Sequence, residues 1–387
     1  MTGDNPVLVA PWRTPIGNAG HGFAALTTTD LAAPVLRATV ATLRDHGIDD
    51  EVDDVVLGNC LGPGGNPARI AALEAGLGIS VPGVTVDRQC GAGLDAVMQA
   101  AMRIRSGEDR LILAGGVESA STAPWRFWPP RFRPPNPGVD GQEGAAPVRY
   151  TRAPFAPAGF PDPDMGSAAD DLAVARGIDR VRQDAYAARS HALAAEADFS
   201  AEIVPVAGIE RDQRIRKNMT RDRLARLRPS FTADGTATAG NSCGISDGAA
   251  VMAVTTEARA KGLPALRVLG SAVAGSDPAL PGLGPVPAIE KVLQRTGIAL
   301  DDIGVVEITE AFASVVLAVS DELGIDENLL CPQGGAIAMG HPWGASGAIL
   351  LVRLSARMLA EGGPQLGLAA CAIGGGQGIA MIVERAW

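Results

Sequence analysis

Short apolar runs alternate with helix-like stretches along the first third of the chain. Apolar residues of the helix-like stretches face one side of a helix, whereas the short runs are typical of buried strands. Alternation of the two indicates βαβ units packed around a buried sheet. The predicted strands are Pro6–Ala10, Asp54–Leu57, Val84–Asp87 and Arg110–Ala114, and the predicted helices are Leu31–Asp45, Pro67–Ala75 and Gly93–Ile104.

The same series of elements recurs about 250 positions further along, as a duplicated architecture requires. Each match is short, but the matches occur in the same order. We therefore predict an α/β protein with two similar halves. The matched pairs are Asp53–Gly58 with Asp301–Val306, Cys90–Leu94 with Trp343–Gly347, and Leu111–Gly116 with Leu366–Ala370.

Composition narrows the class of protein. The 387 residues allow two or three domains or one duplicated architecture, and 47% hydrophobic with 20% charged residues excludes disorder. No apolar run approaches the ~20 residues of a membrane span, and the first is too short for a signal peptide. Five cysteines without metal-ligand spacing are typical of a reducing compartment, so we expect a cytoplasmic protein. A net charge of −10 makes nucleic acid a poor partner.

The segment Pro124–Pro163 interrupts the pattern with clustered prolines and aromatic residues. A long irregular segment inside a compact protein is usually functional or disordered, and the aromatic content argues against disorder. We predict a lid or a subunit-contact loop, with an exposed linker as the alternative.

Cys90 occupies a position typical of a nucleophile, between a predicted strand and a predicted helix. The free N–H groups at a helix N-terminus favour thiolate, and the neighbouring glycines let a substrate approach the backbone. The alternative is a small buried structural cysteine.

His341 lies in a glycine-rich turn ahead of another predicted helix, and the chain has only four histidines. This position suits a general base or an oxyanion donor, with a structural histidine as the alternative. Near the C-terminus, Cys371 precedes Gly374–Gly376, whose N–H groups can form an anion-binding nest.

Together these segments resemble the thiolase family, and the resemblance runs through nearly the whole chain. Further family-like stretches are Arg13–Gly17, Asn66–Arg69, Gly115–Ser119, Arg228–Thr236, Ala239–Ala250, Gly284–Ala288 and Glu310–Ala313.

The resemblance implies a thiolase fold, with two duplicated βαβ-type halves in a layered αβαβα arrangement and a loop domain. It assigns residues 1–118 to the N-terminal half, completed by residues near 236–260. Residues 119–235 form the loop or lid domain with a CoA-binding segment, and residues 261–387 form the C-terminal half.

The resemblance also implies acyl transfer on CoA thioesters. Thiolases cleave a 3-oxoacyl-CoA with CoA, or condense two acyl-CoA molecules, through an acyl-enzyme on a cysteine. Cys90 matches that nucleophile, His341 the residue that activates it, and Gly374 a glycine whose N–H completes an oxyanion pocket. Coenzyme A and acyl-CoA are then substrates, and no permanently bound cofactor is expected.

Two positions depart from the family pattern. Thr309 replaces an asparagine that holds a water, and a hydroxyl cannot donate twice as an amide can. Counted back from Gly374, the family's second cysteine falls on Ala372, so Cys371 is one residue early. On a strand, that offset turns the side chain to the opposite face, unless a bulge restores its direction. We therefore expect Cys371 to miss the substrate and the second half of the reaction to be impaired or rerouted.

On the substrate side, Cys243 replaces a serine near pantetheine, and a thiol is a weaker donor. The span from Arg211 to Arg228 holds eight basic residues, among which Arg216 matches an arginine near the nucleotide end of CoA. Guanidinium suits phosphate recognition, with a solvated helix face as the alternative. Other positions that match substrate-binding residues of the family are Met165, Phe231, Ala311 and Phe312.

Three functions are compatible with the sequence. A working thiolase is favoured because both Cys90 and His341 are present. An acyltransferase with a non-standard acceptor and a non-catalytic acyl-CoA-binding protein are the alternatives. The family is usually dimeric or a dimer of dimers, so we expect a homodimer or homotetramer, without a nucleic-acid or membrane partner.

Overall fold

The computed structural model of the chain describes residues 5–129, 147–260 and 262–386, so part of the predicted lid loop lies outside the described residues. The strands are β1 Pro6–Arg13, β2 Gly17–Asn18, β3 Asp54–Gly58, β4 Val84–Val86, β5 Leu111–Ser119, β6 Arg126–Trp128, β7 Val148–Tyr150, β8 Ser246–Thr256, β9 Leu266–Gly275, β10 Val305–Ile308, β11 Leu366–Ile373 and β12 Gln377–Arg385. The helices are α1 Thr28–Asp45, α2 Pro67–Glu74, α3 Ala92–Ser106, α4 Met165–Arg176, α5 Arg180–Glu196, α6 Arg221–Leu224, α7 Pro285–Thr296, α8 Ala313–Leu323, α9 Ala336–Met339 and α10 Trp343–Met358.

The main sheet repeats one pairing pattern twice. Its order is β10-β11-β12-β9-β1-β8-β5-β3-β4, and β2 pairs beside β8. In the N-terminal half, β3 and β5 are parallel, whereas β8 is antiparallel to both β5 and β1. The C-terminal half has the same arrangement, with β10 parallel to β11 and β12 antiparallel to β11 and β9. The halves meet where β1 pairs with β9 at Val7 and Leu8. This repetition agrees with the predicted duplication.

The helices form layers around this sheet. The outer helices α1 and α2 pack on the N-terminal half, and α7 and α8 pack on the C-terminal half. Between the halves, α3 and α10 share a core cluster and pack against each other. The sequence predicts this central pair, because the segments that begin with Cys90 and Trp343 are two of its repeated units.

Small residues let the two central helices approach closely at their N-terminal ends. A Cβ built on Gly93 would lie 2.8 Å from the carbonyl oxygen of Gly344, and one on Gly116 would overlap that oxygen. Side chains larger than hydrogen therefore cannot fit between α3, α10 and the end of β5. The residues just before the two helices, among them Cys90 and His341, are consequently brought to one place.

The long segment between β5 and β8 is held to β1 by buried ion pairs. Arg13 is fully buried and donates to Glu202 at 2.6 Å and to Asp212 at 2.7 Å. The chain then returns to the N-terminal half as β8, between β1 and β5. The domain boundaries derived from the sequence stay predictions. Among the described helices, none combines the length and apolar character that a membrane span needs.

Candidate active site

Cys90 lies in a single turn, Gln89–Gly91, that leads directly into α3, and it is half-buried. Burial raises the pKa of the Cys90 thiol well above its ordinary value, and neighbouring Cys371 and Cys243 raise it further. Burial therefore outweighs the helix N-terminus that was expected to favour thiolate. Without substrate, Cys90 is a protonated thiol, and its use as a nucleophile requires a base.

His341 is buried in the turn before α10, where its backbone N–H donates to the Gly244 carbonyl at 3.0 Å. Its ring atom Nδ1 lies 2.6 Å from Ser346 Oγ, and that hydroxyl also lies 3.1 Å from the Pro342 carbonyl oxygen. A hydroxyl has one proton to donate, and only the carbonyl is restricted to accepting it. We therefore assign the Nδ1–H of His341 as the donor to Ser346.

The other ring nitrogen of His341 has a free lone pair. Nε2 is buried and has no hydrogen-bond partner among the described residues. Burial lowers the pKa of His341 to about 3, so the imidazole is neutral at pH 7. A neutral imidazole whose tautomer is set by Ser346 can accept a proton at Nε2.

Glu118, which sequence reasoning did not assign to the site, holds the segment after β3 and the first turn of α10. At the end of β5, its carboxylate accepts the backbone N–H groups of Cys60 and Gly344, each at 3.1 Å. It also accepts from Asn59 Nδ2 at 3.0 Å. Burial raises the pKa of Glu118, whereas these backbone donors lower it. A carboxylate inside an apolar run was the available signal in the sequence.

Glu310 has the corresponding role next to His341. Its carboxylate accepts from the Tyr186 hydroxyl at 2.8 Å, from Ser190 Oγ at 2.7 Å and from the Ile337 N–H at 3.1 Å. Ile337 lies in α9, one turn before His341. Glu310 thus anchors the glycine-rich turn that carries the histidine, and it too was missed as a separate residue.

Cys371 contradicts the prediction made from its spacing. Its Sγ lies 3.1 Å from the carbonyl oxygen of Cys90, and both residues pack in one core cluster. Ala372 packs into the cluster on the other face of β11. Because β11 pairs with β12 in unbroken register through Ile373, the additional residue lies between the cysteine and the glycine turn. Counting back from Gly374 therefore assigned the wrong residue to the face of Cys90.

Thr309 follows β10 and lies beside Cys371. Its backbone N–H donates to the Ala370 carbonyl at 3.1 Å, which continues the parallel pairing of β10 with β11. Burial raises the pKa of Cys371 to about 12, and the Thr309 hydroxyl lowers it. That hydroxyl is buried and does not meet the geometry of a hydrogen bond with any described residue. Its role in holding a water stays a prediction.

Gly374 begins the turn between β11 and β12. A Cβ at this position would lie 2.6 Å from the ring of Phe155, so only glycine fits beneath that ring. Gly375 and Gly376 follow with φ of +76° and +74°, a conformation that favours glycine. The assignment of the Gly374 N–H to an oxyanion pocket stays a prediction.

The predicted acyl and pantetheine residues lie together on the other side of the site. The rings of Phe231 and Phe312 meet edge to face with centroids 5.6 Å apart. Met165 begins α4, and the glycine after it makes room for the Phe231 ring. The Cys243 N–H donates to the Ala311 carbonyl at 2.9 Å. The structure thus brings together the five residues that the sequence assigned separately.

Of the eight basic residues between Arg211 and Arg228, one points inward and seven are exposed. Arg214 turns inward and donates to the carbonyls of Ala239 at 2.9 Å and Ser242 at 3.1 Å, so it braces the loop that carries Cys243. Arg216 is exposed, and within the described residues it donates to two carbonyls of its own segment, those of Gln213 and Ile215. The exposed cations, none of which takes part in an ion pair found in the described ranges, are Arg211, Arg216, Lys217, Arg221, Arg223, Arg226 and Arg228.

Comparison with known families identifies the class to which this fold and site belong. The model for the N-terminal domain of thiolase matches residues 6–258, and the model for its C-terminal domain matches residues 263–385. The chain belongs to the thiolase family. The predicted family, the thiolase fold and the class of acyltransferase enzymes are confirmed.

Individual relatives match over nearly their whole length. An acetyl-CoA acetyltransferase of Escherichia coli strain K12 is 43% identical, covering 98% of this chain and 99% of the relative. A putative acetyl-CoA C-acetyltransferase, VraB of Staphylococcus haemolyticus, is 40% identical with 98% of each chain covered. The crystal structure of the Bacillus anthracis acetyl-CoA acetyltransferase superposes with a TM-score of 0.89 at 36% identity, covering 99% of each chain.

Proposed function

We propose that the chain transfers acyl groups between CoA thioesters, by thiolysis of a 3-oxoacyl-CoA or by the reverse Claisen condensation, with Cys90 as the acylated residue. One observation carries the proposal. The Cys90 thiol, the free Nε2 of His341 and the Cys371 thiol lie at the adjoining ends of α3, α10 and β11. Relatives named as acetyl-CoA acetyltransferases support CoA thioesters as the substrate class.

In the first half of thiolysis, the proton of Cys90 passes to His341 Nε2 and the sulfur attacks the 3-oxo carbonyl carbon. The bond between C2 and C3 then breaks, which leaves the acyl group on Cys90 and the enolate of the shortened acyl-CoA. Cys371 supplies the proton that this enolate takes up at C2. Its position beside Cys90 and its pKa near 12, which keeps it protonated, support this role.

In the second half, CoA enters with its thiol protonated. The Cys371 thiolate left from the first half takes the proton of that thiol, and the CoA sulfur attacks the acyl carbon. The bond to Cys90 breaks, and His341 returns its proton to the Cys90 sulfur. Both cysteines and the histidine end in their starting states, so the cycle needs no other reactant. The position of Cys371 removes the reason for expecting an impaired second half.

The basic segment Arg211–Arg228 is proposed to meet the CoA phosphates, with Arg216 at the nucleotide end. Its seven exposed cations lie in a chain of net charge −10 and have no partners in the ion pairs described above. Local positive charge on an acidic protein attracts a polyanion at that place. Planar guanidinium groups suit phosphate recognition.

We also propose self-association as a homodimer or homotetramer, in the cytoplasm. The strand β4 pairs with β3 on one edge, and no strand of the described ranges covers its other edge. Exposed apolar side chains lie around it, including Ile79, which is 89% exposed, and Val84. An open edge flanked by apolar surface supports pairing with a second copy. The free thiols of all five cysteines support a reducing compartment.

Mass spectrometry after incubation with acetyl-CoA tests the nucleophile. We expect one acetyl group on the peptide that contains Cys90, and we expect the variant Cys90→Ser to lack this label. Cys331→Ala is the control, because Cys331 is a buried free thiol that faces the Ile308 carbonyl. Labelling at Cys243 or Cys371 would contradict the assignment. Binding of acetyl-CoA without any label would favour the non-catalytic alternative.

A further inference from the structure

Gln89, the residue before Cys90, has an unusual backbone conformation. Its φ is +44°, which is rare for a residue with a side chain. Such a conformation costs free energy and persists only when its surroundings hold it. Because the peptide of Gln89 precedes Cys90 directly, its orientation determines where the Cys90 sulfur points.

Within the turn, the Ala92 N–H donates to the Gln89 carbonyl, and two side chains also hold the backbone polar groups of Gln89. Asp87 Oδ1 accepts the Gln89 N–H at 2.8 Å, and Cys60 Sγ donates to the Gln89 carbonyl at 3.1 Å. Cys60 is itself held from both sides. Its N–H donates to Glu118 at 3.1 Å, and its carbonyl accepts from Arg126 Nη2 at 3.0 Å.

The Cys60 thiol remains a donor at neutral pH. Burial raises the pKa of Cys60 well above its ordinary value, and the neighbouring Glu118, Cys90 and Asp87 raise it further, Glu118 also through a side-chain hydrogen bond. An alanine at position 60 could not donate, whereas a serine could. Among the described residues, Cys60 is thus the one whose side chain donates to the Gln89 carbonyl.

We propose that Cys60 is a positioning residue for Cys90: by donating to the Gln89 carbonyl, it holds the strained peptide that aims the nucleophilic sulfur. This inference rests on the proposed role of Cys90. Cys60 does not touch the substrate in this proposal, and it acts only through the peptide of Gln89. Loss of the donor should therefore slow the step in which the Cys90 sulfur attacks, and should leave binding of CoA unchanged.

The test measures the rate of acetylation of Cys90 by acetyl-CoA in the wild type and in three variants of the full chain. Cys60→Ala should acetylate about tenfold more slowly, since small displacements of a reacting atom are costly. Its KM for acetyl-CoA should stay within about twofold, because Cys60 acts on the attack and not on binding. Cys60→Ser should restore most of the rate, because its hydroxyl is a donor. Cys331→Ala, which removes a thiol facing the Ile308 carbonyl at 3.3 Å, should acetylate at the wild-type rate.

Thermal unfolding separates this role from general packing. Cys60→Ser with a wild-type melting temperature and a restored rate would support positioning. Wild-type acetylation by Cys60→Ala would overturn the proposal, as would a slow Cys60→Ser variant or an equal loss in Cys331→Ala. Absence of label on Cys90 of the wild type would instead overturn the proposed function, so the two failures are distinguishable.

Discussion

Replacing Cys371 with alanine should slow cleavage of the carbon–carbon bond far more than acylation of Cys90. Cys371 Sγ lies 3.1 Å from the Cys90 carbonyl, and the residue is fully buried, so bulk water cannot take over its proton transfer. Loss of a general acid or base typically slows its step by ~10²–10⁴-fold, or about 3–5 kcal/mol of barrier. Acylation of Cys90 by acetyl-CoA is the reverse of the second half, in which Cys371 exchanges a proton with the CoA sulfur, so this step should slow as well. The loss should be smaller there, because a thiolate with an ordinary pKa of about 8.5 is a far better leaving group than an unprotonated enolate.

Stopped-flow measurement of CoA release from acetyl-CoA reports acylation, and steady-state thiolysis of acetoacetyl-CoA reports the whole cycle. Cys371→Ala should show a slowed burst of CoA and lose a much larger share of the turnover. Cys331→Ala, an equally buried thiol facing a carbonyl, should retain both. Turnover of Cys371→Ala at the wild-type rate would refute the acid/base role. An equal loss of burst and turnover would show that Cys371 supports Cys90 and not the α-carbon.

Two further predictions concern binding and pH. Arg216→Ala should raise the KM for CoA severalfold and leave kcat within about twofold. The control Arg176→Ala, which removes an ion pair with Glu322 at 2.9 Å, should change neither constant, and an unchanged KM in Arg216→Ala would exclude Arg216 from the phosphate site. Stability should fall as pH drops from about 6.5 towards 3, because the unfolded chain protonates His341 in that range while burial keeps the folded histidine neutral. Urea unfolding at a series of pH values should show this slope, and His341→Gln should reduce it; an identical slope would contradict the burial argument.

The fold could be predicted from sequence because its signals are local and repeated. Strand and helix patterns depend on the spacing of apolar residues, and the order of matched segments reported the duplication. The close approach of α3 and α10 follows from Gly93, Gly116 and Gly344, which a sequence reader sees only as glycines. Position along the chain therefore predicted which segments meet, but not which atoms do.

The error at Cys371 has a definite physical source. Strand alternation gives the correct face only if counting starts inside the same regular strand, and Gly374 belongs to the turn. The pairing of β11 with β12 is regular from Leu366 to Ile373, so Cys371 and Ile373 share one face of the strand and Ala372 lies on the other. Long-range packing decides which face meets Cys90: Ala369, Cys371 and Ile373 pack in the cluster that Cys90 contacts, which spacing along the chain does not reveal.

Competition between burial and the helix end decides how Cys90 can react. Free N–H groups at the start of α3 favour a thiolate, but the loss of hydration in the closely packed centre is larger and keeps the thiol protonated. The same burial keeps His341 neutral with a free Nε2. Before substrate arrives, Cys90 therefore carries the proton, and His341 has the free lone pair that can accept it. Transfer of one proton between them leaves the total charge unchanged, which a buried site tolerates better than ionisation to solvent. Nucleophilic attack at this site therefore depends on both Cys90 and His341, and a change in either residue should slow the acylation of Cys90.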